Sequence, residues 1–199
     1  MRLLAITLFS LLAASAATAE EPPKWALMQQ AVLFDQDGSR IRSLVADGVN
    51  PNDPIGCGTF APLDGAVSKA NVELVGLLLS LGAKPRERQM VYAAYAQDHQ
   101  AGLKMVELLR SAGVSVNARD YYLQSGKFTT ALHAAVWSEN LELVRYLLDQ
   151  PDIRLDERNV DGFTPLMIAF DKGNVAVSNM LLAAGASPTE PTHESASGR

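Results

Sequence analysis

Apolar and polar residues follow one another along most of the chain in blocks that recur about every 34 residues. Each block begins with a turn, continues into a short alanine-rich helix, such as the one around Ala134, and passes through a polar bend. A second helix follows with apolar residues at helical spacing, as at Val72, Val75 and Leu78, and a glycine such as Gly82 ends it. The pattern predicts an all-α chain of helix-turn-helix units.

Matching residues in successive blocks fix the register of the repeat. Leu132 and Leu166 lie 34 residues apart, and so do Ala135 and Ala169. We predict about five repeats, at residues 25–52, 59–88, 90–120, 128–158 and 162–189. Because a single helix pair cannot bury its apolar face, the units must stack into one continuous core.

Two repeats depart from the pattern. The third needs about three extra residues between Gln97 and Ala101, in the bend between its helices. The fourth has Pro151 where the others have glycine, so we expect its second helix to end by a different route.

The repeated motifs resemble those of the ankyrin repeat family, which are T-P-L-H-x-A at the first helix and L-L-L-x-x-G-A at the end of the second. They stand here as Thr164-Pro165-Leu166 with Ala169, Thr130-Ala131-Leu132-His133 with Ala135, and Leu181-Leu182-Ala183-Ala184-Gly185-Ala186. The resemblance covers roughly residues 25–189 and implies an all-α ankyrin repeat solenoid, with a concave face formed by the turn fingers and the first helices. It also implies a protein partner, and a structural hydrogen bond from His133 within its turn.

The N-terminus has the pattern of a signal peptide. Arg2 precedes the apolar run Leu3–Leu12, and Ala17-Thr18-Ala19 forms an A-x-A cleavage site. The apolar run is too short to span a bilayer core of roughly 30 Å. We therefore expect cleavage of residues 1–19 and export, with the bacterial periplasm as the destination, although a eukaryotic secretory route fits the same residues. An ankyrin repeat domain at 20–189 and a polar, disordered tail at 190–199 would remain.

Composition excludes several kinds of chemistry. The formal net charge of −5 gives no basic surface for nucleic acid. With one cysteine and three histidines, neither an intramolecular disulfide nor a cysteine-rich zinc site can form. We found no G-x-S-x-G nucleophile motif and no phosphate-binding glycine loop, so we expect no cofactor, no metal and no enzymatic activity. Cys57 is either a small buried residue between glycines or a reactive thiol, and a redox role for it is the enzymatic alternative.

Aromatic residues at the finger positions are the candidates for binding. Phe60 and Phe163 occupy the same slot, three residues before Leu63 and Leu166. The predicted partner-binding residues are Phe60, Tyr121, Tyr122, Phe128, Trp137, Asp161, Phe163 and Asp171. They are expected to form one band along the concave face, since aromatic anchors often dominate protein interfaces. The competing interpretation is that these rings pack between neighbouring fingers.

The sequence thus predicts a monomeric, non-catalytic protein-binding module of the periplasm, with no membrane span after signal cleavage. One hypothesis is an immunity protein that neutralises a toxin delivered into the periplasm. The alternative is a protective partner of an envelope enzyme, such as a catalase in peroxide defence. An effector secreted into host cells is a third option.

Overall fold

The structure is a computed structural model that describes residues 21–35, 37–56, 59–120 and 130–188. These residues form ten α-helices: α1 Lys24–Phe34, α2 Ser39–Ala46, α3 Pro62–Ser68, α4 Val72–Ser80, α5 Glu87–Ala94, α6 His99–Ser111, α7 Ala131–Trp137, α8 Leu141–Leu148, α9 Pro165–Asp171 and α10 Val175–Ala183. Apart from an isolated antiparallel bridge between Arg119 and Thr130, the same segments contain no β pairing. The predicted all-α class is confirmed.

The helices form five consecutive pairs, from α1–α2 to α9–α10, that stack in chain order. The first helices of the pairs contact one another in sequence, from α1 through α3, α5 and α7 to α9. The second helices do the same from α4 to α10. Because the main contacts join each pair to its neighbours, the molecule is the solenoid that the repeat predicts.

Side-chain size differs between the two layers of the core. The first helices contribute small buried residues, such as Ala66, Ala135 and Ala169. The second helices contribute leucines that are wholly buried, namely Leu78, Leu109, Leu147 and Leu181. The small side chains allow the first helices to approach closely, while the leucines fill the space behind them.

Polar caps and glycines set the ends of the second helices. The side chains of Asn71, Asn140 and Asn174 each accept a hydrogen bond from a backbone N–H three residues ahead, at the starts of α4, α8 and α10. The glycines predicted to end second helices have φ angles of 85° to 98°, the left-handed conformation that glycine adopts without strain: Gly48, Gly82, Gly113 and Gly185.

The third and fourth repeats accommodate their departures from the pattern within their own helices. The third repeat places its extra residues in α6, which has 13 residues, and not in a longer bend. Its first helix begins at Glu87, before the predicted start of that repeat at residue 90. In the fourth repeat α8 ends at Leu148, before Pro151, and the Gln150 side chain donates to the Tyr146 carbonyl over 2.9 Å at this end.

Several predicted features lie outside the described residues, and they remain predictions: the signal peptide at 1–19, Cys57, Tyr121, Tyr122, Phe128 and the tail at 190–199. In the part of the chain that the structure describes, every helix is too short or too polar to cross a membrane.

Candidate protein-binding surface

The finger before α9 is a tight turn organised by one buried asparagine. The Asn159 side-chain oxygen accepts hydrogen bonds from the N–H groups of Asp161, over 3.0 Å, and Phe163, over 2.9 Å. The Asn159 N–H in turn donates to the Phe163 carbonyl over 2.9 Å. Gly162 has a φ angle of 82°, which permits the reversal. The turn leaves Asp161 exposed and Phe163 half-buried.

His133 connects this finger to the preceding repeat through hydrogen bonds on both of its ring nitrogens. Its Nε2 lies 3.1 Å from the Phe163 carbonyl and therefore donates, since a carbonyl oxygen can only accept. Its Nδ1 lies 2.8 Å from the Thr130 hydroxyl, which therefore donates to the ring. Burial lowers the pKa of His133 to about 4, so the ring is neutral near pH 7. The predicted structural hydrogen bond of His133 is confirmed, and both ring nitrogens are engaged.

The finger, α7 and α9 together form a cleft of about 180 Å³, which we call the Trp137 cleft. It is lined by Trp137, Asn159, Asp161, Phe163, Ile168 and Asp171. Trp137 is the last residue of α7, and Asp171 is the last residue of α9. Four of the predicted binding residues therefore meet in one place: Trp137, Asp161, Phe163 and Asp171.

A cation already lies against the Trp137 ring. The Lys172 Nζ is 4.8 Å from the ring centroid, within the range of a cation–π interaction. The same Nζ is 3.0 Å from Glu139 Oε1, so its charge is compensated by that carboxylate. The environment of Trp137 thus favours positive charge beside an aromatic face.

Phe60 lines a different and smaller cleft, of about 100 Å³, between the second and third repeats. This Phe60 cleft is lined by Phe60, Asp64, Val67, Ser68, Arg88, Gln89 and Tyr92. Phe60 is exposed over 44% of its surface, and it does not share a cleft with Trp137. The predicted residues that the structure describes therefore fall into two clefts.

An ion pair occupies the polar side of the Phe60 cleft. Asp64 is almost wholly buried, and its Oδ1 accepts hydrogen bonds from Arg88 Nε over 3.0 Å and from Gln89 Nε2 over 2.9 Å. Its Oδ2 accepts from the Ala61 N–H over 2.7 Å. Hydrogen bonding to Asp64 raises the pKa of Arg88 above its usual range. Asp64 stands where the family motif often has histidine, and it links the second repeat to the third.

Sequence reasoning missed some residues of these clefts. Asn159 could have been found from the turn pattern Asn-x-Asp-Gly that precedes Phe163. Tyr92 was missed because it lies in a helix whose other apolar residues are buried, and its own 37% exposure follows only from the packing. Among the described residues we find no cluster of three or more potential metal ligands. The clefts can therefore bind a partner through contacts with aromatic rings and through the charge of their carboxylates.

A family model described as Ankyrin repeats (3 copies) matches residues 90–192. This match spans both halves of the Trp137 cleft and supports the resemblance seen in the repeated motifs.

Curated relatives match over parts of their own length. The nuclear factor NF-kappa-B p105 subunit of Gallus gallus is 44% identical over 86 residues, which is 43% of this chain and 8% of that protein. The E3 ubiquitin-protein ligase KEG of Arabidopsis thaliana is 36% identical over 94 residues, or 47% of this chain and 6% of that protein. The I-Kappa-B like protein G2 of Microplitis demolitor bracovirus is 30% identical over 96 residues, or 48% of this chain and 55% of that protein. The matched segment is thus a small fraction of the first two relatives and about half of the third.

Proposed function

This chain belongs to the ankyrin repeat family, and we propose that it is a non-catalytic protein-binding module of the bacterial periplasm that holds its partner on the finger side of the solenoid. Ankyrin repeats mediate protein–protein interaction, and we propose in addition where this chain acts and what it binds.

The observation that carries the proposal is the Trp137 cleft. Two aromatic rings and two carboxylates from the fourth and fifth repeats converge on it, although they are separated by up to 34 positions in the sequence. Interfaces are commonly dominated by a few aromatic anchors in such pockets. A volume of about 180 Å³ is below the roughly 300–1,000 Å³ typical of small-molecule sites, so one side chain of a protein partner suits it better.

A non-catalytic role is supported by the hydrogen bonds of two buried ionisable side chains, His133 and Asp64, which are used to hold the structure together. The two nitrogens of His133 bind Thr130 and the Phe163 carbonyl. The Asp64 carboxylate is held by Arg88, Gln89 and a backbone N–H. These groups connect neighbouring repeats, and that stabilises the surface on which a partner would bind.

The periplasmic location rests on the signal-peptide pattern of Arg2, the short apolar run and Ala17-Thr18-Ala19. For the partner we propose a toxin delivered into that compartment, which this protein would neutralise by occupying its surface. A catalase or another envelope enzyme recovered as the specific partner would instead support the protective role.

Affinity capture from periplasmic extract, with paired variants, tests the proposal. Trp137→Ala combined with Asp161→Arg alters the finger side, and we expect at least about a tenfold loss of partner capture by a variant that stays folded, as judged by circular dichroism. Glu142→Ala combined with Arg145→Ala alters exposed positions on α8 and is the matched control, for which capture should stay within about twofold of wild type. Loss of capture by the α8 pair, with none by the finger pair, would show that binding uses another face.

A further inference from the structure

The Trp137 cleft contains two carboxylates that have no ion-pair partner among the residues that the structure describes. Asp161 in the finger and Asp171 at the end of α9 are both exposed and both line the cleft. Within residues 21–35, 37–56, 59–120 and 130–188, neither carboxylate takes part in an ion pair or a side-chain hydrogen bond. The nearby Lys172 is paired with Glu139, and the Arg158 guanidinium donates to the Gly162 carbonyl in the same finger, so neither cation forms an ion pair with Asp161 or Asp171.

The aromatic wall of the cleft, like its carboxylates, attracts positive charge. The face of a tryptophan ring attracts cations, and Lys172 at 4.8 Å from the Trp137 centroid shows that this ring does so here. Phe163 and Ile168 complete a partly apolar lining, which excludes water from one side of a bound group. Charge interactions strengthen where water is excluded, so a cation gains more here than on an open surface.

The Phe60 cleft provides an internal comparison. Phe60 occupies the same slot in its finger as Phe163, but the carboxylate in that cleft, Asp64, is already bound by Arg88. The Phe60 cleft is therefore neutralised from within and should not attract a second cation. The two clefts share an aromatic finger and differ in uncompensated charge.

We propose that the Trp137 cleft binds an arginine side chain presented by a basic surface of the partner protein. A planar guanidinium can lie flat against an aromatic ring and present several N–H groups to two carboxylates, whereas a lysine ammonium acts as a point charge. The formal net charge of −5 complements a basic partner and would accelerate association. This inference rests on the proposed function, because it specifies the chemistry of the partner at the same surface.

A peptide titration of the full chain, followed by NMR, tests the inference. The probes are acetyl-Gly-Arg-Gly-amide and its citrulline counterpart, which has nearly the same shape but no charge. We expect the arginine peptide to shift the signals of the Trp137 indole N–H and the Phe163 amide in a saturable way. The citrulline peptide should bind at least about tenfold more weakly. Equal affinity for the two peptides, absence of saturable shifts with both, or shifts centred on Phe60 would each overturn the proposal.

Charge-neutralising variants distinguish the effect of charge in the cleft from the effect of the protein's net charge on peptide binding. Asp161→Asn with Asp171→Asn should weaken the arginine peptide at least about tenfold. Asp47→Asn with Asp149→Asn removes the same charge at the exposed ends of α2 and α8, and peptide affinity should change less than about twofold. Equal losses in both pairs would mean that the peptide responds only to net charge and would contradict a defined site.

The same variants distinguish failure of this inference from failure of the proposed function. A captured partner that binds the Asp161→Asn, Asp171→Asn variant as tightly as wild type, yet is lost with Trp137→Ala, would contradict the arginine site and leave the binding function intact. An arginine peptide that binds the cleft, with no protein partner that depends on the finger side, would contradict the function and leave the site intact.

Discussion

His133 should make the stability of this protein depend on pH in a defined window. The ring is wholly buried and neutral, and burial lowers its pKa from 6.5 to about 4. As the pH falls below 6.5, the unfolded chain binds a proton on this residue while the folded chain does not. The free energy of unfolding is therefore fully retained above pH 6.5 and decreases as the pH falls towards 4.

The size of the effect follows from the two pKa values. A pKa difference of this kind corresponds to about 1.4 kcal/mol per unit, which gives a loss of about 2 kcal/mol at pH 5 and about 3 kcal/mol below pH 4. The comparison variant is His133→Gln, whose amide can accept from Thr130 and donate to the Phe163 carbonyl without titrating. Gln89 already occupies the equivalent third position of α5.

Urea unfolding at pH 7.5 and pH 5 would measure this contribution. A Trp25→Phe background leaves Trp137 as the single tryptophan, four residues from His133, and its fluorescence reports on the fourth repeat. We expect the histidine form to lose about 2 kcal/mol more than the His133→Gln form between the two pH values. Equal losses in the two forms would refute the assignment of His133 as a buried neutral residue.

Three further predictions concern stability and processing. Leu147→Asp, at a wholly buried position of α8, should cost at least about 4 kcal/mol, and hydrogen exchange should show protection lost mainly in the fourth and fifth repeats; uniform loss along the chain would contradict nearest-neighbour coupling. Asp64→Asn should cost about 2 kcal/mol in urea unfolding, less than a fully buried pair because Arg88 keeps part of its surface in water, and an unchanged midpoint would show that the ion pair is not stabilising. Mass spectrometry of envelope-fractionated protein should find Glu20 as the first residue, whereas a retained Met1 would contradict export by a cleaved signal.

The regular part of the fold was predictable because it depends on short-range chemistry. Gly82 and Gly185 end helices through their own backbone freedom, and Asn140 caps α8 through a contact three residues away. The period of 34 residues, seen at Leu132 and Leu166, then fixes which helices stack. These signals require no knowledge of distant contacts.

The clefts were only partly predictable because they depend on contacts between repeats. Asp64 reads as an ordinary departure from the family motif until α5 brings Arg88 to it from 24 positions away. The meeting of Trp137 with Asp171 likewise requires the packing of α7 against α9. Residue type and position within the repeat were enough to predict most residues of the Trp137 cleft. That Phe60 lies in a different cleft followed only from the three-dimensional arrangement.

Site-specific photo-crosslinking in living cells tests most directly the claim that the finger side binds a protein. Benzoylphenylalanine would replace Phe163 in the Trp137 cleft or, as the control, Arg145 on the exposed side of α8. The account predicts a discrete adduct with one protein from position 163, suppressed by an excess of the unmodified chain, and none from position 145. An adduct from position 145 without one from position 163 would contradict it.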